Sequence, residues 1–274
     1  MKSKANTMNQ EDNYLDVNKK AWNSKTQVHA ASDFYNVAAF LNGKSSLNTV
    51  ELELLGNVAI KKVLHLQCHF GLDTLSLARL GADVTGVDFS ETAIQKAEEI
   101  ADELQLNARF ICCDVYNLPN VLNEQFDIVF TSYGTIGWLP DLDKWAGVVS
   151  HFLKPGGRFV FVEFHPVVWM FDANFIKVAY NYFKDTAIVE TESDTYAKTN
   201  APLQNTMITW NHSLSEVMGC LLSAGITISG FKEYDYSSYN CFNGTVEYEP
   251  GRYRIAHLDN KIPMVYSVTG TKTY

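Results

Sequence analysis

Two short segments of the chain carry residue types and a spacing that could build a ligand site. They are VLHLQCHFG at residues 63–71 and VTGVDFS at residues 84–90. Each begins as an apolar run typical of a buried strand; the first continues into a loop that ends on Gly71, and the second reaches Asp88. A carboxylate at a strand tip can accept hydrogen bonds from both hydroxyls of a ribose. Asp88 is therefore predicted to bind a ribose-bearing cofactor, and its charge also suits the N-terminus of a helix capped by Ser90.

The elements that must position these segments alternate between strand and helix. Apolar runs predict five strands, at Lys62–Leu66, Asp83–Val87, Ala108–Cys112, Phe126–Thr131 and Arg158–Phe164. Helical spacing of apolar residues predicts helices between them, including one that begins after Ser90 and one over Leu142–Phe152. Near-continuous apolar strands that alternate with amphipathic helices favour a parallel sheet covered on both faces. Right-handed crossovers then predict a doubly wound α/β fold.

This alternation stops after strand five and resumes near residue 213. Residues 166–211 are rich in aromatic side chains and are interpreted as an insertion that lies over the strand ends. The capping box Ser213-Leu-Ser-Glu216 opens another helix. Two further strands are predicted over Ile226–Tyr234 and Met264–Lys272.

The N-terminal part of the chain lacks the strand–helix alternation of the remainder. A polar tail of residues 1–13 precedes a segment with several aromatic residues, and a short helix is predicted over Ser46–Leu55. We therefore divide the chain into residues 1–57, the tail and lid helices, and residues 58–274, the sheet domain.

Composition narrows the classes of partner and compartment. The chain has 274 residues, 46% of them apolar, and a formal net charge of −9. Nucleic acid is not the expected partner, because phosphate binding needs a basic surface. Neither a signal peptide nor a membrane span is predicted. An odd number of cysteines, five, without metal-binding spacing favours reduced thiols in a cytoplasmic protein and no metal site.

The order of elements and five landmarks resemble the class I S-adenosylmethionine-dependent methyltransferases. The landmarks are VLHLQCHFG, VTGVDFS, FICCDV, FDIVFTSYG and LKPGGRFVFVEFH. This resemblance covers roughly residues 60–165, with weaker agreement over residues 212–272. It implies a Rossmann-like, mostly parallel sheet of seven strands, whose last strand is antiparallel and inserted between the fifth and sixth. It also implies S-adenosyl-L-methionine as cofactor and, with the acidic composition, a small-molecule methyl acceptor. Residues 58–274 would then be the methyltransferase domain.

In that family the loop after strand one is an acid-x-Gly-x-Gly-x-Gly run. Here His65 stands in the place of the acid, Gln67 and His69 replace the first two glycines, and Gly71 remains. We expect Gln67 and His69 to adopt backbone conformations that a Cβ tolerates, and both could donate hydrogen bonds to the methionine carboxylate. The histidines at positions 65 and 69 are not expected to form a metal pair, because they do not share a helical face.

The resemblance implies further cofactor contacts at the ends of the following strands. The predicted cofactor-binding residues are Gln67, Cys68, His69, Gly71, Asp88, Phe89, Asp114, Val115, Ser132 and Tyr133. Asp114 and Val115 occupy the place where the family contacts the adenine ring, and Phe89 could pack on it or belong to the core.

Two residues at strand ends are candidates for acid–base chemistry. Tyr133 follows strand four and could orient a nucleophile, and His165 follows strand five and titrates near neutrality. Either could also be an ordinary loop residue. Four aromatic residues are assigned to the lid or the substrate cover: Trp22, Tyr35, Trp138 and Trp210. Trp22 and Tyr35 could instead be packing residues of the surface.

Two other functions remain open on the sequence. A nicotinamide-dependent oxidoreductase shares the strand–loop–acid arrangement, but the G-x-G-x-x-G spacing is absent. A non-catalytic binding protein would result if Gln67 and His69 had abolished cofactor affinity. The methyl acceptor, the atom methylated and the oligomeric state are not predicted.

Overall fold

A computed structural model describes residues 13–198, 201 and 203–273. Most of the predicted polar tail lies outside these residues.

The central element is a mostly parallel β-sheet. Its strands are β1 Lys62–Leu66, β2 Asp83–Asp88, β3 Ala108–Cys112, β4 Phe126–Ser132, β5 Leu153–Phe164, β8 Ile226–Tyr234 and β11 Val265–Lys272. Within the described chain these seven strands are arranged in the order β3-β2-β1-β4-β5-β11-β8. Strand β11 runs antiparallel to both β5 and β8, between which it lies. The predicted fold class is confirmed, including the position and direction of the last strand.

Helices cover both faces of this sheet. They are α1 Tyr14–Ala30, α2 Val37–Leu41, α3 Thr49–Leu55, α4 Leu72–Arg79, α5 Glu91–Glu103, α6 Leu142–Phe152 and α7 Leu214–Ser223. The predicted N-caps are present: the Ser90 hydroxyl accepts from Ala93 N at 3.1 Å, and the Ser213 hydroxyl accepts from Glu216 N at 3.2 Å. Each cap satisfies a backbone donor that the first helical turn leaves free.

Two boundaries differ from the sequence prediction by more than one residue. Helix α3 begins at Thr49 rather than Ser46, because Asn48 N donates to the Glu51 carboxylate and closes the first turn there. Strand β5 begins at Leu153 rather than Arg158, because Leu153 pairs with Phe126 ahead of an irregularity in register. The KPGG segment at residues 154–157 is therefore part of this strand, although Gly156 has a φ of +76°.

The aromatic segment between β5 and α7 contains regular structure that its sequence did not predict. Strands β6 Ile188–Glu192 and β7 Asn205–Thr209 pair in an antiparallel hairpin. A second hairpin, of β9 Thr245–Glu249 and β10 Arg252–Ile255, lies between β8 and β11. Both hairpins are short, and their strands lack the continuous apolar runs of the central sheet.

The ring of Phe110 on β3 packs closely against Gly86 on β2 and against Gly71 in the loop after β1. A Cβ atom at Gly71 would lie 2.7 Å from the ring of Phe110, and one at Gly86 would lie 2.8 Å from it. Side chains at either position would displace that ring. Gly71, which also has a φ of +77°, thus lets β3 and α4 pack closely beside the loop after β1.

Candidate active site

The loop after β1 keeps a glycine-like backbone although two of its glycines are absent. Gln67 has a φ of +55° and His69 a φ of +52°, so both lie in the left-handed region. This small region is one that a residue with a Cβ tolerates, although few residues other than glycine adopt it. A non-glycine residue in this region costs about 1 kcal/mol or more, and such cost is tolerated when surrounding contacts fix the loop. Two neighbouring contacts do so here: Cys68 N donates to Val87 O at 2.9 Å, and Gly71 N donates to Cys68 O at 2.9 Å.

The side chains of this loop face two different neighbours. Gln67 Nε2 donates to the carbonyl of Thr135 at 2.8 Å, which ties the loop after β1 to the loop after β4. The His69 ring lies 5.2 Å from the Trp22 ring and 5.2 Å from the His29 ring. Gln67 Oε1 and His69 Nε2 are shielded from solvent and have no hydrogen-bond partner among the described residues. Unpaired buried polar atoms are uncommon in folded proteins and often mark a ligand site.

Asp88 lies at the carboxyl end of β2, where the sequence places it. Its Oδ2 accepts from His69 N and its Oδ1 accepts from Ser90 N, each at 2.9 Å. The residue is 8% exposed, and this burial raises the pKa of Asp88 to about 6. Each carboxylate oxygen has a further lone pair, so the side chain can accept two more hydrogen bonds.

A cleft opens beside Asp88 between the strand ends and helix α1. It is lined by Tyr14, Leu15, Asn18, Gln67, Val87, Asp88, Phe89, Cys113, Asp114, Val115, Trp138 and Leu139. The structure thus brings Gln67, Asp88, Phe89, Asp114 and Val115 together, as the sequence predicts. Apolar walls with an acid at each end suit a ligand with a flat ring and hydroxyl groups.

Helix α1 forms one wall of the cleft and closes it. The side chain of Asn18 is 1% exposed and pairs with the Ile208 backbone through both its amide groups, at 2.8 and 2.9 Å. Asn23 accepts from the Ser90 hydroxyl at 2.6 Å, so the helix also contacts the start of α5. The space left in the cleft is about 30 Å³, room for only about two water molecules. A larger ligand therefore requires some of the residues that line the cleft to move.

The aromatic residues predicted to form the lid or the substrate cover are distributed around the cleft that α1 closes. Trp22 packs edge-on against Trp138, with 5.3 Å between ring centroids. Trp210 packs edge-on against Tyr14, also at 5.3 Å, and its backbone N–H donates to Gly137 O. Tyr35 is hydrogen-bonded through its hydroxyl to that of Tyr196 at 2.6 Å.

The loop after β4 is organised by a carboxylate that was not predicted from the sequence. Glu163, 2% exposed on β5, accepts hydrogen bonds from the backbone N–H groups of Gly134, Thr135, Ile136 and Phe164 and from the Thr135 hydroxyl. Burial raises the pKa of Glu163, and these donors counteract that effect by stabilising the charged form. The sequence signal for this role was an isolated Glu near the end of an apolar strand. A carboxylate buried there requires hydrogen-bond donors.

Tyr133 lies at the start of this loop in an uncommon conformation. Its φ is +46°, and that of Gly134 is +69°. A bulky residue in the left-handed region is a true outlier and costs about 1–3 kcal/mol. The Tyr133 hydroxyl is shielded from solvent and makes no hydrogen bond of regular geometry. The loop therefore holds this side chain in place, next to Glu51, at an energetic cost.

His165 is held at a distance from the cleft by other partners. Its Nε2 lies 2.9 Å from Glu233 Oε1 on β8, and its Nδ1 accepts from Val167 N at 3.2 Å. Burial lowers the pKa of His165, while Glu233 acts in the opposite direction. The residue is 3% exposed and is not among those that line the cleft. Its assignment to acid–base chemistry stays a prediction with a competing structural role.

The remaining predicted contacts lie behind the cleft. Cys68 is 4% exposed under the loop, and Gly71 faces Phe110 and Ala97. The Ser132 hydroxyl donates to Asp73 at 3.5 Å. His65 is paired with the Thr74 hydroxyl at 2.8 Å and stacks on Phe130.

Comparison with known proteins agrees with this geometry. Residues 63–157 match a family model described as a methyltransferase domain. Residues 63–157 therefore carry a methyltransferase domain. The matched residues of this methyltransferase domain extend from β1 to the beginning of β5, and so include Gln67, Asp88 and the loop after β4.

Related sequences place the domain among methyltransferases of differing specificity. A ubiquinone biosynthesis O-methyltransferase of Coxiella burnetii is 33% identical over 134 residues, which are 48% of this chain and 56% of that protein. The phosphoethanolamine N-methyltransferase 1 of Triticum aestivum is 34% identical over 110 residues, which are 39% of this chain and 22% of that protein. The chain therefore spans about half the length of the first of these relatives and less of the second.

A solved structure supports the fold of the methyltransferase domain. An S-adenosylmethionine-dependent methyltransferase from Mesorhizobium loti superposes with a TM-score of 0.55 at 19% identity, covering 84% of this chain and 99% of that one. Among the helices of the described residues, none is both long and apolar enough to cross a membrane. Within the same residues, no three His, Cys, Asp or Glu side chains are grouped as metal ligands.

Proposed function

We propose that this protein transfers a methyl group from S-adenosyl-L-methionine to a small molecule. The observation that carries this proposal is the buried Asp88 carboxylate, held by two backbone N–H groups at the end of β2 and facing the cleft under α1. The family of the domain and the apolar cleft support the same function.

The residues of the cleft fit the proposed cofactor. Asp88 retains lone pairs for two ribose hydroxyls, and the half-buried Asp114 can accept from an exocyclic amine beside Val115. Gln67 Oε1 and His69 Nε2 are unpaired polar atoms in the loop that would face the amino acid end. The G-x-G-x-x-G backbone and hydride-transfer residues of a nicotinamide enzyme have no counterpart in the chain, so an oxidoreductase is not favoured.

The cofactor would supply an electrophilic methyl group on a positively charged sulfur. Transfer removes charge at the reacting centre, so the protein contributes mainly alignment and exclusion of water. Helix α1 and the hairpin β6–β7 would exclude water, since they close the cleft through Asn18. Tyr133 would orient the acceptor, because the Glu163 loop fixes its backbone. A nucleophile that must lose a proton also needs a base.

Substitutions at the two acid–base candidates should separate their roles. Tyr133→Phe is expected to lower turnover by about tenfold or more, because its shielded hydroxyl, next to Glu51, would position the acceptor. His165→Gln is expected to change turnover less than threefold, because that imidazole is occupied by Glu233 and Val167. The measurement is the rate of S-adenosylhomocysteine formation with acceptors identified by mass spectrometry. Equal losses in both variants would contradict this assignment.

Calorimetry tests the proposed function directly. The protein is titrated separately with S-adenosylmethionine, S-adenosylhomocysteine and NADH. Heat of binding is expected with the first two and not with NADH. Binding of NADH alone would support an oxidoreductase, and the lack of heat with all three would favour a binding protein that has lost its cofactor.

A further inference from the structure

Two carboxylates lie close together behind the loop after β1. Glu51 is on α3 and is 1% exposed; Asp73 is half-buried in the first turn of α4. Burial raises the pKa of Glu51 to about 7 and also raises the pKa of Asp73, and the charge on Asp73 adds to the effect on Glu51. The two groups are close enough to repel each other when both are ionised.

The known partners of these carboxylates are all neutral. Glu51 Oε2 accepts from Asn48 N at 2.8 Å, and Asp73 accepts from the hydroxyls of Ser46 at 2.6 Å and Ser132 at 3.5 Å. Throughout the described residues, no lysine or arginine forms an ion pair with either group. Buried carboxylates are normally compensated by a cation or by a full set of donors. Here that compensation is incomplete.

Unpaired polar atoms around this pair point to a missing partner. Glu51 Oε1, the Tyr133 hydroxyl and Asn48 Nδ2 are each shielded from solvent without a hydrogen bond of regular geometry. A capping-box glutamate usually lies at the surface with both oxygens in water. Glu51 has lost that solvent and gained in return one hydrogen bond of regular geometry, from Asn48 N, and the nearby Tyr133 hydroxyl.

Aromatic rings complete the surroundings of the two carboxylates. The Tyr239 ring packs edge-on against Tyr133 at 5.0 Å, and the charges of both Asp73 and Glu51 act on its hydroxyl. Tyr35 lies 5.4 Å from His69 and is also within the influence of Asp73. Tyrosine faces and carboxylates are the groups that bind organic cations.

This group of residues adjoins the proposed cofactor cleft. The backbone N–H of His69 is bonded to Asp88 on one side, and the His69 ring contacts Tyr35 on the other. Tyr133 belongs to the loop that Gln67 contacts through Thr135. A molecule between Glu51 and Tyr239 would therefore meet the cofactor cleft near His69.

We propose that the methyl acceptor is a small organic cation, an amine or ammonium compound, whose positive group binds between Glu51, Asp73, Tyr133 and Tyr239. This inference rests on the proposed function and names the class of its substrate. A cation there would neutralise the two carboxylates and place its charge against tyrosine rings.

The test compares choline with its uncharged carbon isostere, in which a quaternary carbon replaces the nitrogen. Binding of each is measured by calorimetry to the full chain, with and without saturating S-adenosylhomocysteine. Choline is expected to bind at least tenfold more tightly than the isostere. Equal affinities, or no binding of choline in either condition, would overturn the inference even if S-adenosylhomocysteine binds normally. Failure of S-adenosylhomocysteine to bind would instead count against the proposed function.

Charge-removing variants locate the binding site of the cation. Glu51→Gln and Asp73→Asn are each expected to reduce choline affinity about tenfold while S-adenosylhomocysteine affinity changes less than threefold. Glu53→Gln is the matched control, because Glu53 lies on the same helix and is exposed. If choline affinity is unchanged in both Glu51→Gln and Asp73→Asn, the cation binds elsewhere and the assignment is contradicted. The comparison of isosteres in the unmodified protein does not depend on how these variants fold.

Discussion

Replacing Asp88 with asparagine is expected to weaken the binding of S-adenosylhomocysteine by about 100-fold. The variant removes a buried charged acceptor, and hydrogen bonds to charged groups contribute about 1.5–3 kcal/mol each. The carboxylate is held by His69 N and Ser90 N, so its remaining lone pairs have a fixed direction. The dissociation constant, measured by calorimetry, gives the loss.

The same carboxylate should make cofactor affinity depend on pH. Burial raises the pKa of Asp88 to about 6, and only the ionised form can accept from two hydroxyls at once. Protonation therefore competes with binding: affinity should be nearly constant above pH 7 and fall by about tenfold between pH 7 and pH 5. This decrease should be absent in Asp88→Asn.

Asp83→Asn provides the control for these experiments. Asp83 begins the same strand, is exposed, and lies at the opposite edge of the sheet. Its replacement should leave both the affinity and the pH profile unchanged. A pH profile shared by the unmodified protein and Asp88→Asn would show that another group is responsible.

Replacing Glu163 with glutamine is expected to lower turnover by more than 100-fold and to destabilise the fold by about 3 kcal/mol. Glutamine keeps one acceptor oxygen, but an NH₂ group takes the place of the other. The backbone N–H groups that donate to that second oxygen in the unmodified protein would then face another donor. Each buried donor left unpaired costs about 1–3 kcal/mol. The donors on the replaced oxygen, either Gly134 and Phe164 or Thr135 and Ile136, would lose their acceptor, and Tyr133 would lose its fixed position.

Steady-state kinetics below the unfolding transition distinguish positioning from stability. If Glu163 positions the loop, kcat should fall in fully folded protein, while the affinity for S-adenosylhomocysteine at Asp88 changes much less. Glu98→Gln is the matched control, because Glu98 is exposed on α5. A loss of activity that follows the unfolded fraction alone would argue against positioning.

The sequence alone determined the strands of the central sheet and the helices that cover it. Buried strands appear in the sequence as continuous apolar runs, and amphipathic helices as apolar residues at helical spacing. These local patterns predicted Lys62–Leu66, Ala108–Cys112 and Leu142–Phe152 with the bounds that the structure shows. The position of Asp88 followed from the same local pattern, because a residue at a strand end lies at the edge of the sheet.

Short elements and backbone conformations depended on tertiary contacts. The hairpin β6–β7 has no strong local pattern, and its pairing is supported by contacts with helix α1 through Asn18. The left-handed conformations of Gln67 and His69 could not be read from residue types that usually avoid them.

The chemistry of the buried acids also required the folded chain. Glu51, Asp73 and Glu163 are separated by up to 112 residues in sequence, and nothing local distinguishes them from surface acids. Burial depends on what packs from elsewhere in the chain, and so does each partner that a buried carboxylate acquires. The sequence therefore determined the sheet and the position of Asp88 at its edge, whereas only the tertiary structure decided which acids are shielded from water and which of them are left without a compensating charge.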